Sequence, residues 1–211
     1  MISILQKVTP MDIDFMLTTL GFITPLSQQL QERFTAQIQQ ETVRKRTILL
    51  RQGEICRRIY FIKEGFARCY FLDKQGKECT TWFFNEGDFM ISVHSFYTQK
   101  PAYENIEILE DCILQSISWL QIQAIYADTR EGNHIGRVMS ERYQIQSEER
   151  FILHRDSNPT ERYKLLLDHY PGIEQKTTQT NIASYLGISR ETLCRLKGKK
   201  LRCDINQKNS I

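Results

Sequence analysis

The sequence predicts an α+β chain: an N-terminal antiparallel β-roll, or jelly roll, with flanking helices, then a long helix, then a C-terminal helix-turn-helix domain. Three observations carry this. Between residues 43 and 118, short runs rich in Ile, Tyr, Phe and Thr alternate with turn residues, and glycines fall at 53, 65, 76 and 87. Turn signals at roughly every 8–12 residues are the pattern of a sandwich or jelly roll. On either side, apolar residues recur at helical spacing instead. Near the end, two short helical segments are separated only by Gly187-Ile188, which turns one helix sharply onto the next.

The first helical region spans 10–40. Met11, Phe15, Leu17 and Leu20, then Leu26, Leu30, Phe34 and Ile38, keep helical spacing, with interruptions near Gly21 and Pro25. The stretch from Ser27 to Gln40 reads as one amphipathic helix. Strands are expected at 47–50, 58–63, 67–72, 78–84, 104–109 and 113–117, where β-branched and aromatic residues cluster. Asp73-Lys74-Gln75-Gly76 reads as a hairpin turn, with glycine where a positive φ is cheap. Helical spacing returns over 119–155. Ile135, Val138, Arg142, Ile145, Glu149 and Ile152 fall on a heptad seam. Charges at Arg142 and Glu149 make it an imperfect zipper. The pattern leaves open whether it packs on the β-region or on its own copy.

Asp156-Ser157-Asn158-Pro159 then reads as a hinge, with Pro159 near the start of the next helix. Helices are expected over 160–169, from about Thr178 to Leu186, and from Ser189 onward. Thr178 and Ser189 are N-cap candidates. Ile182, Ala183, Leu186, Ile188 and Leu193 would lock the last two helices together, and small Ala183 permits their close approach.

Composition narrows the class. Of 211 residues, 41% are hydrophobic and 25% charged, which excludes a disordered chain, a collagen-like repeat and a coiled-coil rod. Apolar runs such as Ile59-Tyr60-Phe61-Ile62 are too short to cross a bilayer, and residues 1–10 do not read as a secretory signal. A cytoplasmic protein is expected, with no membrane partner. The six cysteines form no CxxC, and free thiols are expected. Residues 1–156 hold 18 Lys/Arg against 20 Asp/Glu, whereas 157–211 hold 10 against 5. A basic end on a slightly acidic body suits a polyanion, although a solvated tail would look the same.

The order of parts resembles the CRP/FNR family of bacterial transcription regulators. Ile188-Ser189-Arg190-Glu191-Thr192-Leu193-Cys194-Arg195-Leu196 is similar to that family's recognition helix, S-R-E-T-x-x-R. Thr178 to Gly187 resembles the preceding helix of the motif. Gly53-Glu54, Tyr60 to Gly65 and Asn85-Glu86-Gly87-Asp88-Phe89 resemble its strand and turn signatures. The resemblance spans roughly 25–197. It implies a cyclic-nucleotide-binding-like sensor domain over 1–130, a dimerisation helix and hinge over 131–156, and a DNA-binding domain over 157–211. The partners implied are double-stranded DNA, a second copy of the chain and RNA polymerase.

On the recognition helix, Glu191 and Arg195 are four apart and share a face. Arg can grip guanine O6 and N7, and Glu can accept from cytosine N4. Glu191 and Arg195 are therefore the expected base readers, with Arg190 reading a base or holding a phosphate. Thr178, Thr180, Ser189 and Thr192 can bond phosphates, and Lys197, Lys199, Lys200 and Arg202 add nonspecific attraction. The family's usual β-hairpin wing has only Gly198 to Ile211 left to form it.

Cyclic-AMP-binding members carry a Gly-Glu pair and then an Arg-Ser or Arg-Ala pair after the G-D-F turn. Here those positions read Ile91-Ser92 and Ala102-Tyr103, and no arginine lies between Arg68 and Arg130. Tight cyclic-AMP binding is not expected; the alternative is a small-molecule sensor whose β-roll binds an unidentified effector that gates DNA binding. No cysteine precedes Cys56, unlike iron–sulfur members, and His94 is a lone candidate haem ligand. Trp82, Phe83, Phe84, Phe89, Phe96, Tyr97 and Tyr103 either fill the roll or line an apolar pocket. A cupin-type enzyme would need clustered metal ligands; no metal site and no catalytic residue is expected.

Overall fold

The computed structural model describes residues 13–198. Two helices open it, α1 (Asp14–Gly21) and α2 (Gln28–Gln37), the second capped by the Ser27 hydroxyl, which accepts from the Leu30 N–H. Helix α2 ends at Gln37 rather than running to Gln40. Residues Gln39–Val43 instead form strand β1, which pairs antiparallel with a later strand from Gln39↔Ser116 to Val43↔Cys112. Tertiary pairing overrides the helical pattern here, because a polar Gln-Gln-Glu-Thr segment is free to adopt either state.

The following strands are β2 (Ile48–Leu50), β3 (Arg58–Glu64), β4 (Ala67–Leu72), β5 (Glu78–Phe84), β6 (Phe89–Met90), β7 (Asn105–Ile108) and β8 (Cys112–Ser118), with helix α3 (Val93–Thr98) after β6. They make two four-stranded antiparallel sheets, ordered β1-β8-β3-β6 and β2-β7-β4-β5. Gly65 turns β3 into β4 with φ 109°, and a Cβ there would lie 2.5 Å from the Cys112 sulfur. The 73–76 turn is held by the Asp73 carboxylate, which accepts from the Gln75 and Lys77 N–H groups.

Helix α4 (Trp119–Asp128) starts in a Ser118/Gln121 capping box, and α5 (Arg130–Asp156) is capped by Thr129. The first part of α5 belongs to the main core, where Gly132, Ile135 and Gly136 are buried. Gly136 admits the Tyr126 ring, which would lie 2.6 Å from a Cβ. From Glu141 onward α5 is mostly exposed.

After Ser157, α6 (Pro159–His169) begins with Asn158 in a capping box with Glu161 and Pro159 in the first turn. A short helix α7 (Ile173–Lys176) follows, absent from the sequence expectation, then α8 (Gln179–Leu186), and residues 190–198 form α9. The core of these helices is not self-contained. Tyr163, Leu166, Ile173, Ile182, Ala183, Leu186 and Leu193 share one buried cluster with Phe66, Phe83 and Leu109 of the β-roll.

Candidate nucleic-acid interface and sensor crevice

Helices α8 and α9 meet across Gly187, which takes a left-handed conformation (φ 65°) and ends α8. The Thr178 hydroxyl accepts from the Asn181 N–H and caps α8. The Ser189 hydroxyl accepts from the Thr192 N–H and caps α9. Leu193 is fully buried against α8, and this fixes the rotation of α9. Arg190, Glu191 and Arg195 consequently face solvent. Arg195 donates to the Thr192 hydroxyl at 3.1 Å, which steadies its guanidinium. The Glu191 carboxyl is held below the usual carboxylate range by its own backbone N–H, then by the Ser189 hydroxyl, with Arg190 and Arg195 adding to it. It presents an ionised acceptor.

Thr180 is exposed beside Thr178 at the start of α8. Lys197 is paired with Glu174 of α7 at 2.7 Å, so its charge is already partly answered within the chain. Lys199, Lys200, Arg202 and the basic tail lie outside the described residues. On α5, Ile135 is buried in the chain's own core, Val138 is half-buried, and Arg142, Ile145 and Ile152 are exposed.

One residue that the sequence did not single out holds α8 in place. Arg68 of β4 is buried and donates to Glu107 at 2.7 Å and Glu78 at 2.5 Å. It also donates to Thr80 and, across to α8, to the Asn181 amide oxygen at 2.9 Å. Beside it the Thr80 N–H donates to the Ser184 hydroxyl, which in turn donates to the Glu78 carbonyl. Strand β5 is the edge of its sheet. A free edge invites strand addition by another chain, and here α8 covers it.

Between the second sheet and α5 lies a crevice lined by Cys69, Trp82, Glu104, Tyr143, Arg150 and His154, among others. Its cation comes from α5 rather than from the β-region. The Arg150 guanidinium lies 4.4 Å above the Trp82 ring and 4.8 Å from the Tyr185 ring of α8. Trp82 also stacks on Tyr143, with centroids 5.7 Å apart. No local motif marks Arg150, because its partners are more than 30 residues away. Burial pushes the Cys69 thiol well up, as does nearby Glu104, so it is no nucleophile at neutral pH. Ala102 is buried, Tyr103 is exposed, and His94 lies against Tyr103. The aromatic residues divide: Phe83 and Phe96 fill the interior, Trp82 and Phe84 line the crevice, and Phe89 and Tyr97 line an apolar cavity. Among the described residues no three His, Cys, Asp or Glu side chains gather as a metal site, and no helix is long and apolar enough to cross a membrane.

Residues 40–129 match the cyclic nucleotide-binding domain family. The cAMP-activated global transcriptional regulator CRP of Salmonella typhimurium is 24% identical over 166 residues, covering 72% of this chain and 77% of that one. Among solved structures, FixK2 from Bradyrhizobium japonicum aligns with a TM-score of 0.70 at 16% identity, over 80% of this chain and 86% of that one. The c-di-GMP responsive global regulator CLP of Xanthomonas campestris aligns at 0.64 with 20% identity, over 82% and 91%. A transcriptional regulator of the crp/fnr family from Eubacterium rectale aligns at 0.64 with 21% identity, over 85% of each chain. A cyclic-nucleotide-binding-type β-roll joined through a long helix to a helix-turn-helix is the fold this chain shares with those structures. Over both parts the chain is similar to regulators of the CRP/FNR type, and residues 40–129 match the cyclic nucleotide-binding domain.

Proposed function

We propose that the chain is a sequence-specific DNA-binding transcription regulator, not an enzyme, that acts as a homodimer on a palindromic site and does not depend on cyclic AMP. The observation that carries this is the pose of α9: Leu193 is buried beneath it while Arg190, Glu191 and Arg195 stand exposed along it. An exposed helix bearing bidentate donors and an ionised acceptor suits the major groove. Residues 157–211 bind DNA in this reading, residues 131–156 pair with a second copy through the exposed Ile145 and Ile152 side, and residues 1–130 form the sensor part. Thr178, Thr180, Ser189 and Thr192 contact phosphates, Lys197, Lys199 and Lys200 add charge, and RNA polymerase is the downstream partner.

Cyclic-AMP independence is supported by Ser92 and Ala102, small buried residues where cyclic-AMP-binding members carry a carboxylate and a guanidinium. The Arg150 guanidinium is already in contact with two aromatic rings, Trp82 and Tyr185. A calorimetric titration should give no cyclic-AMP binding at micromolar concentration; a micromolar constant overturns this part. The main test is selection from random duplex DNA by the full chain, without effector and at moderate salt. Enrichment of a palindrome supports the reading. Recovery of only salt-sensitive background overturns effector-free binding.

A second reading is favoured by the contact of Arg150 with both Trp82 and Tyr185: the β-roll binds an effector that gates DNA binding, and α8 senses it. In that case the selection succeeds only once the effector is supplied.

A further inference from the structure

A second hollow adjoins the crevice at Ile91 and Tyr143 and lies between the first sheet and helices α1, α2, α4 and α5. Its volume is about 420 Å³. Met16 and Leu20 of α1, Phe34 of α2, Phe61 of β3, Ile117 of β8 and Met139 of α5 are among its walls. Among the described residues no Asp, Glu, Lys, Arg or His lines it. Its polar groups are neutral: Gln115 and Ser116 on β8, and Ser140 and Gln144 on α5, with tyrosines 97, 126 and 143 nearby. Tyr97 and Ser140 meet at 3.3 Å across one rim. Burial first, and then the neighbouring Tyr97, raises the Tyr126 hydroxyl, so it stays a neutral donor or acceptor.

Protein interiors rarely leave voids much larger than a water molecule, and an apolar void forfeits the contacts its lining would otherwise make. The hollow opens to solvent past Tyr97, Tyr143 and Gln144, which are exposed, and its apolar walls favour an apolar guest. The volume falls within the roughly 300–1,000 Å³ range of small-molecule sites. It is too small for a helix of a partner; its described lining residues carry no charge, and the Arg58 guanidinium that donates to the Ser116 hydroxyl at 2.9 Å is already engaged there.

We propose that this cavity is a binding site for an uncharged, mainly hydrocarbon or aromatic small molecule with at most a hydroxyl or carbonyl head. The molecule lies along Phe61 and Ile117, with its head toward the neutral amides and hydroxyls. Tyr143 and Ile91 belong to both the cavity and the crevice. A guest therefore presses on the ring that stacks against Trp82. Any effect on DNA binding rests on the second reading above; the binding itself does not.

The probe is N-phenyl-1-naphthylamine, a neutral dye that brightens in apolar surroundings, titrated into the full chain. Saturable binding of one dye per chain is expected, displaced by 1-decanol and at least roughly tenfold more weakly by decanoate. Met139→Trp fills the cavity and should weaken the dye by roughly tenfold or more, with an unchanged melting temperature. Gln144→Trp, at the mouth, repeats the block if Met139→Trp melts early. Glu104→Gln, in the crevice, should leave the dye unaffected. With Trp119→Phe, Trp82 is the remaining tryptophan, and its emission should shift saturably with 1-decanol. Absence of saturable dye binding overturns the proposal. So does full binding by both filled variants, loss of binding in Glu104→Gln, or decanoate competing as well as decanol. None of these readouts involves DNA, so failure here is distinct from failure of the duplex selection.

Discussion

At the residue scale, two arginines have opposite tasks and opposite visibility. Arg195 is exposed on α9 and was legible, because its spacing from Glu191 and its place in S-R-E-T-x-x-R are local features. Arg195→Ala should cost about 1–3 kcal/mol of binding to the selected duplex and relax preference at one base pair. Titrations against single-base variants check this; a uniform loss across all duplexes would mean a phosphate contact instead. Arg68 looks like any strand arginine in the sequence, yet it is buried among Glu78, Glu107, Thr80 and Asn181. Nothing within a few residues signals this, since Asn181 is 113 positions away. Arg68→Met strands Glu107 and should lower unfolding stability by about 3 kcal/mol, the low end for a broken buried pair because Glu78 is half-exposed. Urea unfolding measures it, and a loss well below about 1 kcal/mol would mean that water already screens the cluster.

At the element scale, strands with alternating or continuous apolar residues and clear turns were readable, and β4 and β5 occupy 67–72 and 78–84. Strand β1 was not. Its residues are mostly polar, and its state is set by β8, 69 to 77 positions away. The two-residue β6 and the single-turn helices α3 and α7 escaped for a related reason: segments that short carry too few residues to show a period. The heptad of α5 proves composite. Ile135 serves the chain's own core, whereas Ile145 and Ile152 are 56% and 55% exposed, a split that periodicity alone cannot draw. Ile145→Glu should convert a dimer into a monomer in light scattering while leaving the melting temperature of the folded chain within a few degrees. A dimer that survives it would place the seam elsewhere.

At the scale of the whole molecule, the crevice links the β-roll, α5 and α8, and it carries a pH dependence. Burial, and then the charges of Arg150 and Arg162, hold the His154 imidazole below its ordinary range. The unfolded chain takes up that proton first as pH falls. Stability is therefore complete above the ordinary histidine pKa of about 6.5 and is lost as pH drops through it toward the folded value. His154→Gln should flatten the fall in melting temperature between about pH 7 and pH 5.5. The slope is shallow, since His154 is only partly shielded from solvent; an identical slope in both proteins would remove His154 from the account. Phe83, wholly buried between the β-roll and Tyr170 and Tyr185, has a consequence for ancestry. A DNA-binding module joined only by a tether could be exchanged among sensors by recombination at the hinge. Here a crossover at Ser157 would leave Phe66 and Phe83 bare on one parent and Leu166 and Ile173 bare on the other. Each half of this chain thus carries part of a shared interior, and a chimera joined at Ser157 would have to rebuild it.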